Sequence, residues 1–256
     1  MNLRSVVRTS SGGSRRRRLT VSLGVGAILM VALVVSIVSL ALATSPSFPD
    51  VPASHLYYAA ITDLASRGII GGYNNGNFGP GDPVTRQQFA KMIVKTAGYN
   101  VTGAETCPFT DVDAQTGTDP FYPSKYVAVC ATHNITTGKT ATTFDPSGKI
   151  TRYQAISMAV RMADNLQPGL LATPPATWNG NVTWGADPTH GPNAARAEYN
   201  GLLAGLDLAA LSPTGNMSRG EVAQVLHNLL EKFRTTESSR TWTNLNPSGD
   251  LPLGRR

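Results

Sequence analysis

Apolar residues along this chain fall into two regimes. Between Leu19 and Ala43 they run unbroken, LTVSLGVGAILMVALVVSIVSLALA, 25 residues without a charge. A helix needs about 20 apolar residues to cross a bilayer, so the run predicts a membrane-crossing segment. Beyond it, apolar positions recur at helical spacing. Phe89, Met92 and Ile93 form one inward stripe, and Ile156, Ala159 and Val160 another. Leu56, Ile61 and Leu64 are predicted to line a shorter helix, as are Phe121, Val127 and Cys130. Turn-forming stretches such as GGYNNGNFGPGDP lie between and are too short for another element. The predicted class is mostly α, assembled from helix–loop–helix units.

The units repeat. PVTRQQFAKM (83–92) returns as KITRYQAISM (149–158) and, blurred, as NMSRGEVAQV (216–225), so the motif arginines fall at 86, 152 and 219. The first two copies each open on F-x-D-V, at Phe48 and Phe109, and step through Ile to Gly72 or Gly138. Both then run to Phe78 or Phe144, with Pro two residues on. Gly68 is predicted to end the first short helix in the left-handed conformation, with Asn134 as its substitute. The third copy shows neither a clear F-x-D-V nor a G-I-I-x-G step. The division expected is a basic stretch at 1–18, the apolar segment at 19–43, and repeats at 48–106 and 107–167. A linker with a degenerate third repeat fills 168–233, and a disordered polar tail fills 234–256.

Most of the motif has a structural reading. Thr85, Thr151 and Ser218 stand where an N-cap belongs, with Gln88, Gln154 and Glu221 three residues later, the spacing of a capping box. The arginine between them does not fit that reading. Arg86, Arg152 and Arg219 occupy the first helical position, where the macrodipole disfavours a cation by about 0.3–1 kcal/mol. A local ion pair with Asp82 or Asp145 accounts for two copies at most. An anion site, free helix amides plus a guanidinium fork, accounts for all three and is the reading preferred.

Charge and cysteines place the chain. Lys and Arg number 22 against 16 Asp and Glu, but Arg4, Arg8 and Arg15 to Arg18 lie ahead of the apolar run. Removing those six leaves 16 basic and 16 acidic residues, so the remainder gives no basis for nucleic-acid binding. Positive charge before the run sets the N-terminus in the cytoplasm and exports the rest. The run reads equally as a retained anchor or as a signal peptide cut after Ala43. Export favours a disulfide between Cys107 and Cys130, with buried thiols or a partial metal site as alternatives.

The quoted motifs together resemble the S-layer homology (SLH) module, strongly from Phe48 to about Leu166 and weakly from about Trp178 to Phe233. That resemblance implies a three-pronged, pseudo-trimeric bundle of three repeats whose grooves bind an anionic cell-wall polysaccharide. Carried over by motif, its glycan-binding positions fall on Arg86, Arg152 and Arg219, on Gly72 and Gly138, and on Asp50 and Asp111. The function expected is a non-catalytic module on the extracytoplasmic side that holds its carrier to the wall. The membrane is a second partner if the apolar helix is retained, and an envelope protein is a further one. No cofactor or metal is implied. The rivals are a peptidoglycan hydrolase and a protein-binding adaptor with no glycan ligand. His55, His133, His190 and His227 are scattered, and no nucleophile elbow, phosphate loop or dinucleotide fingerprint is present. Trp178 and Trp184 are expected to anchor the connector to the core rather than to stack on sugar.

Overall fold

The computed structural model describes residues 46–245; the basic stretch and the apolar run at 19–43 lie outside them. Among the described residues are seven helices and three isolated β-bridges, with no strand. In chain order the helices are α1 (Tyr58–Ser66), α2 (Arg86–Ala97), α3 (Ser124–Thr132), α4 (Arg152–Leu166), α5 (Val182–Gly185), α6 (Gly191–Tyr199) and α7 (Arg219–Leu245). None is long and apolar enough to cross a membrane.

The short helices end as their sequences dictate. Gly68 (φ 66°) and Asn134 (φ 54°) sit in the left-handed region just past α1 and α3. The amides that follow, Ile69 and Ile135, fold back onto Leu64 O and Cys130 O. The third copy does the same. Gly201 (φ 79°) follows α6, and Leu202 N returns to Ala197 O. Gly201-Leu202-Leu203-Ala204-Gly205 has the glycine spacing of Gly68 to Gly72, with Leu in place of Ile.

The units complete one another. Each short helix packs on the long helix of the preceding copy: α3 on α2, α6 on α4, and α1 on α7. The long helices α2, α4 and α7 also touch pairwise. At their starts, Val84 N donates to Met217 O (3.0 Å), Met217 N to Ile150 O (2.9 Å) and Ile150 N to Val84 O (2.9 Å). All three side chains are fully buried. Around them the expected stripes go inward, Phe89, Met92 and Ile93 on α2 and Ile156, Ala159 and Val160 on α4. Trp184 is fully buried, with Nε1 donating to Leu208 O (3.0 Å), so it anchors the connector. Trp178 stands edge-on to Tyr199, its ring 5.6 Å away.

Three expectations are corrected. Leu56 is 71% exposed, because α1 starts only at Tyr58; Tyr57 packs against the core instead. Cys107 and Cys130 are free thiols. The register of α3 turns Cys130 towards α2, with Sγ 3.7 Å from Ala90 O. Burial raises the pKa of both. The segment 234–245 continues α7, since no proline interrupts the chain between Arg219 and Leu245.

Candidate functional site

The site begins at the starts of the long helices. Thr85 caps α2 and Thr151 caps α4, each in a complete capping box with Gln88 or Gln154. At α7, Glu221 N donates to Ser218 Oγ, and Ser218 N donates to Glu221 Oε2 (both 3.3 Å). The first amides of each helix are not free. Arg86 N and Gln87 N donate to Gly148 O and Pro146 O, Arg152 N and Tyr153 N to Gly215 O and Pro213 O, and Arg219 N and Gly220 N to Asp82 O and Pro80 O. Loop carbonyls of the following copy satisfy the positive helix ends, so the expected open amides do not exist. What an anion can still meet is the arginine side chain.

The three arginines differ. Arg86 is only 5% exposed, its Nε donating to Phe144 O (2.6 Å) and its guanidinium carbon 4.6 Å from the centre of the Phe144 ring. Its terminal nitrogens bond to no described group and are not sealed from solvent. Arg219 is 7% exposed and lies between the Tyr73 and Phe78 rings, 4.8 and 4.4 Å away. Its Nε donates to Phe78 O (2.7 Å) and one terminal nitrogen to Gly71 O (2.6 Å). Neither arginine forms an ion pair with a described residue, so the local-ion-pair alternative fails at both. Burial lowers both pKa values, opposed by Asp145 and Asp111 at Arg86, and by Tyr73, Asp82 and Asp50 at Arg219. Arg152 is spent on an internal acid. Its Nε and Nη2 grip Glu221 at 2.8 and 2.7 Å, and Nη1 donates to Ser212 O (3.0 Å).

Asp50 and Asp111 clamp the loops on which the arginines rest. Asp50 accepts from Phe78 N (2.8 Å) and Gly79 N (2.7 Å), and Asp111 from Phe144 N (2.8 Å) and Asp145 N (2.7 Å). Phe78 and Phe144 are thus held at N–H by an aspartate and at C=O by an arginine. Burial pushes both carboxyls up, but the amide donors outweigh it, and both sit below the usual carboxylate range. Gly72 and Gly138 allow close approach of an aromatic ring. A Cβ would fall 2.7 Å from the Phe48 ring at Gly72, and 2.4 Å from the Phe109 ring at Gly138, where φ is +81°.

Two clefts flank the free arginines. The first, about 440 Å³, is bounded by the 68–71 step, Arg219, Tyr122, and Gln88, Lys91, Met92 and Lys95 of α2. The second, about 230 Å³, is bounded by the 136–139 step, Arg86, His190, and Gln154, Ser157, Met158 and Arg161 of α4. The long-helix residues occupy the same repeat positions in both. Lys95 and Arg161 each stand nine residues after the motif arginine, a basic position visible in the sequence once the copies are aligned. The third copy has Asn228 there. Lys91 also pairs with Asp119 (2.6 Å), Lys95 donates to Gly68 O (2.8 Å), and Ser157 Oγ meets His190 Nδ1 (2.8 Å).

Comparison with known proteins bears on the same region. The chain is 27% identical over 206 residues to an S-layer protein of Bacillus thuringiensis subsp. finitimus, spanning 80% of this chain and 24% of that protein. It is 28% identical over 216 residues to an S-layer protein of Bacillus licheniformis, spanning 81% and 22%. An endoglucanase of Bacillus sp. (strain KSM-635) is 29% identical over 187 residues, 72% and 19%. The chain therefore spans no more than about a quarter of each of these relatives. Residues 47–90 and 108–156 match the S-layer homology domain, and it is through these two segments that the chain resembles the S-layer homology family.

Proposed function

We propose that the part of the chain beyond the apolar run is a non-catalytic module that holds its carrier against the cell wall by binding an anionic wall glycan. The glycan lies in the two clefts, its negative groups on Arg219 in one and Arg86 in the other. The third copy completes a three-fold bundle, and at its junction Arg152 is already paired with Glu221. The observation that carries this reading is a desolvated guanidinium in each cleft with N–H groups unspent and no carboxylate partner, backed by Lys95 or Arg161 in the same wall. A buried cation without a counter-ion is costly, and an incoming carboxylate or phosphate offsets that cost with charge-assisted hydrogen bonds. The relatives support a carrier role, since the matching segment occurs in proteins named S-layer protein and in one named endoglucanase. The run at 19–43 takes this part across the membrane, as a retained anchor or a removed signal.

The test is sedimentation of the full chain, in detergent, with protein-free wall sacculi. The wild-type chain pellets with the sacculi. Replacing Arg86 and Arg219 together by Gln lowers the apparent affinity about tenfold or more, the factor expected for lost charge-assisted contacts. A wild-type chain that stays in solution, or a folded double variant that pellets equally well, overturns the proposal. Release of soluble wall fragments identifies a hydrolase instead.

A further inference from the structure

We infer that the third residue of each long helix, Gln88, Gln154 or Glu221, decides whether the arginine facing it is open to an outside anion. The inference rests on the wall-glycan reading for its biological meaning but on internal geometry for its substance. In the closed junction Glu221 does two things. Its Oε2 caps Ser218 N, and its two oxygens together hold Nε and Nη2 of Arg152. The residue facing Arg219 across the first cleft is Gln88, and the residue facing Arg86 across the second is Gln154.

Each glutamine turns its one oxygen to the cap, Gln88 Oε1 accepting from Thr85 N (2.9 Å) and Gln154 Oε1 from Thr151 N (3.2 Å), and neither oxygen accepts from the arginine across the cleft. What remains is an amide NH₂, a donor presented to a guanidinium that only donates. No bond forms between them, and the arginine keeps its charge and its unspent N–H groups. One oxygen in place of one nitrogen therefore separates a sealed junction from a receptive one, with the cap intact in either case. The third junction also lacks the basic residue of the other two, with Asn228 in its place.

Substitutions at these positions in the full chain test the inference in two ways. Without any ligand, Gln88→Glu and Gln154→Glu each supply the missing counter-ion and raise the melting temperature by a few degrees, while Glu221→Gln lowers it. Melting temperatures that do not rise in the first two variants overturn the inference whatever the glycan proves to be. The second measurement uses protein-free sacculi. The Gln88→Glu, Gln154→Glu double variant binds at least about tenfold more weakly than wild type. Glu221→Gln combined with Asn228→Lys gains binding above wild type. If wild type binds and neither variant differs from it, the inference fails and the wall-binding function stands. If wild type does not bind, the function fails and the melting data alone decide the inference.

Discussion

Ending the chain at Thr214 removes α7 and the strand-like turn before it, and the prediction is loss of the whole fold, not of a third of it. The removed segment buries Met217, Val222, Val225, Leu226 and Leu229, each at 3% exposure or less. Burying such a side chain contributes about 1.5–3 kcal/mol, so the five contribute roughly 8–15 kcal/mol before entropy is counted. A domain of this kind has about 5–15 kcal/mol of net stability in total. The truncation also strips α1 of the helix it packs on, and deprives Phe78 O, Gly71 O, Asp82 O and Pro80 O of their donors. Far-UV circular dichroism and urea unfolding read the outcome. The expected result is a non-cooperative, largely unfolded chain. A truncated chain that melts cooperatively at a temperature near that of the intact one would show that the first two copies stand alone, and the reasoning from mutual completion would be refuted.

Three further outcomes are expected. Trp184→Ala costs about 3–5 kcal/mol in chemical denaturation, since it empties a fully buried site and leaves Leu208 O without its donor; a cost below 1 kcal/mol would contradict the anchoring role. Dithiothreitol leaves the melting temperature unchanged, because Cys107 and Cys130 are free; a drop of several degrees would reveal a bond between them. Burial lowers the pKa of His190 from 6.5, with Asp187 opposing and Arg161 assisting. The unfolded chain then takes up a proton that the folded chain resists, so this contribution is intact above about pH 6.5 and declines as pH falls below it. Urea midpoints from pH 7.5 to 5 should fall less steeply for His190→Gln than for wild type, and identical slopes would exclude the assignment.

Local rules made much of the fold legible. The capping boxes at Thr85 and Thr151 and the left-handed ends at Gly68 and Asn134 depend only on residues three to five apart, and all are found as read. Leu56 was misplaced because a stripe extrapolated one turn too far ignores where the helix begins. The turn at Gly201 was passed over by asking for Ile, although Leu202 and Leu203 bury as Ile69 and Ile70 do. The electrostatics of the site was not legible. The acid that neutralises Arg152 lies 69 residues downstream, and the carbonyls that occupy the helix ends come from the next copy's loop. Both reflect how copies meet, which spacing within a copy does not encode.

The triangle of backbone bonds joining Val84, Met217 and Ile150 has a consequence for how such chains vary. An open stack of repeats can lengthen by one, because each end merely needs a polar cover. A closed cycle has no end at which to add. A fourth copy would find every donor and acceptor at the hub already matched, and a missing one would leave a pair unmatched in a dry interior. The segments around Val84, Ile150 and Met217 are thus tied to one another in register, a constraint that the outward loops do not share.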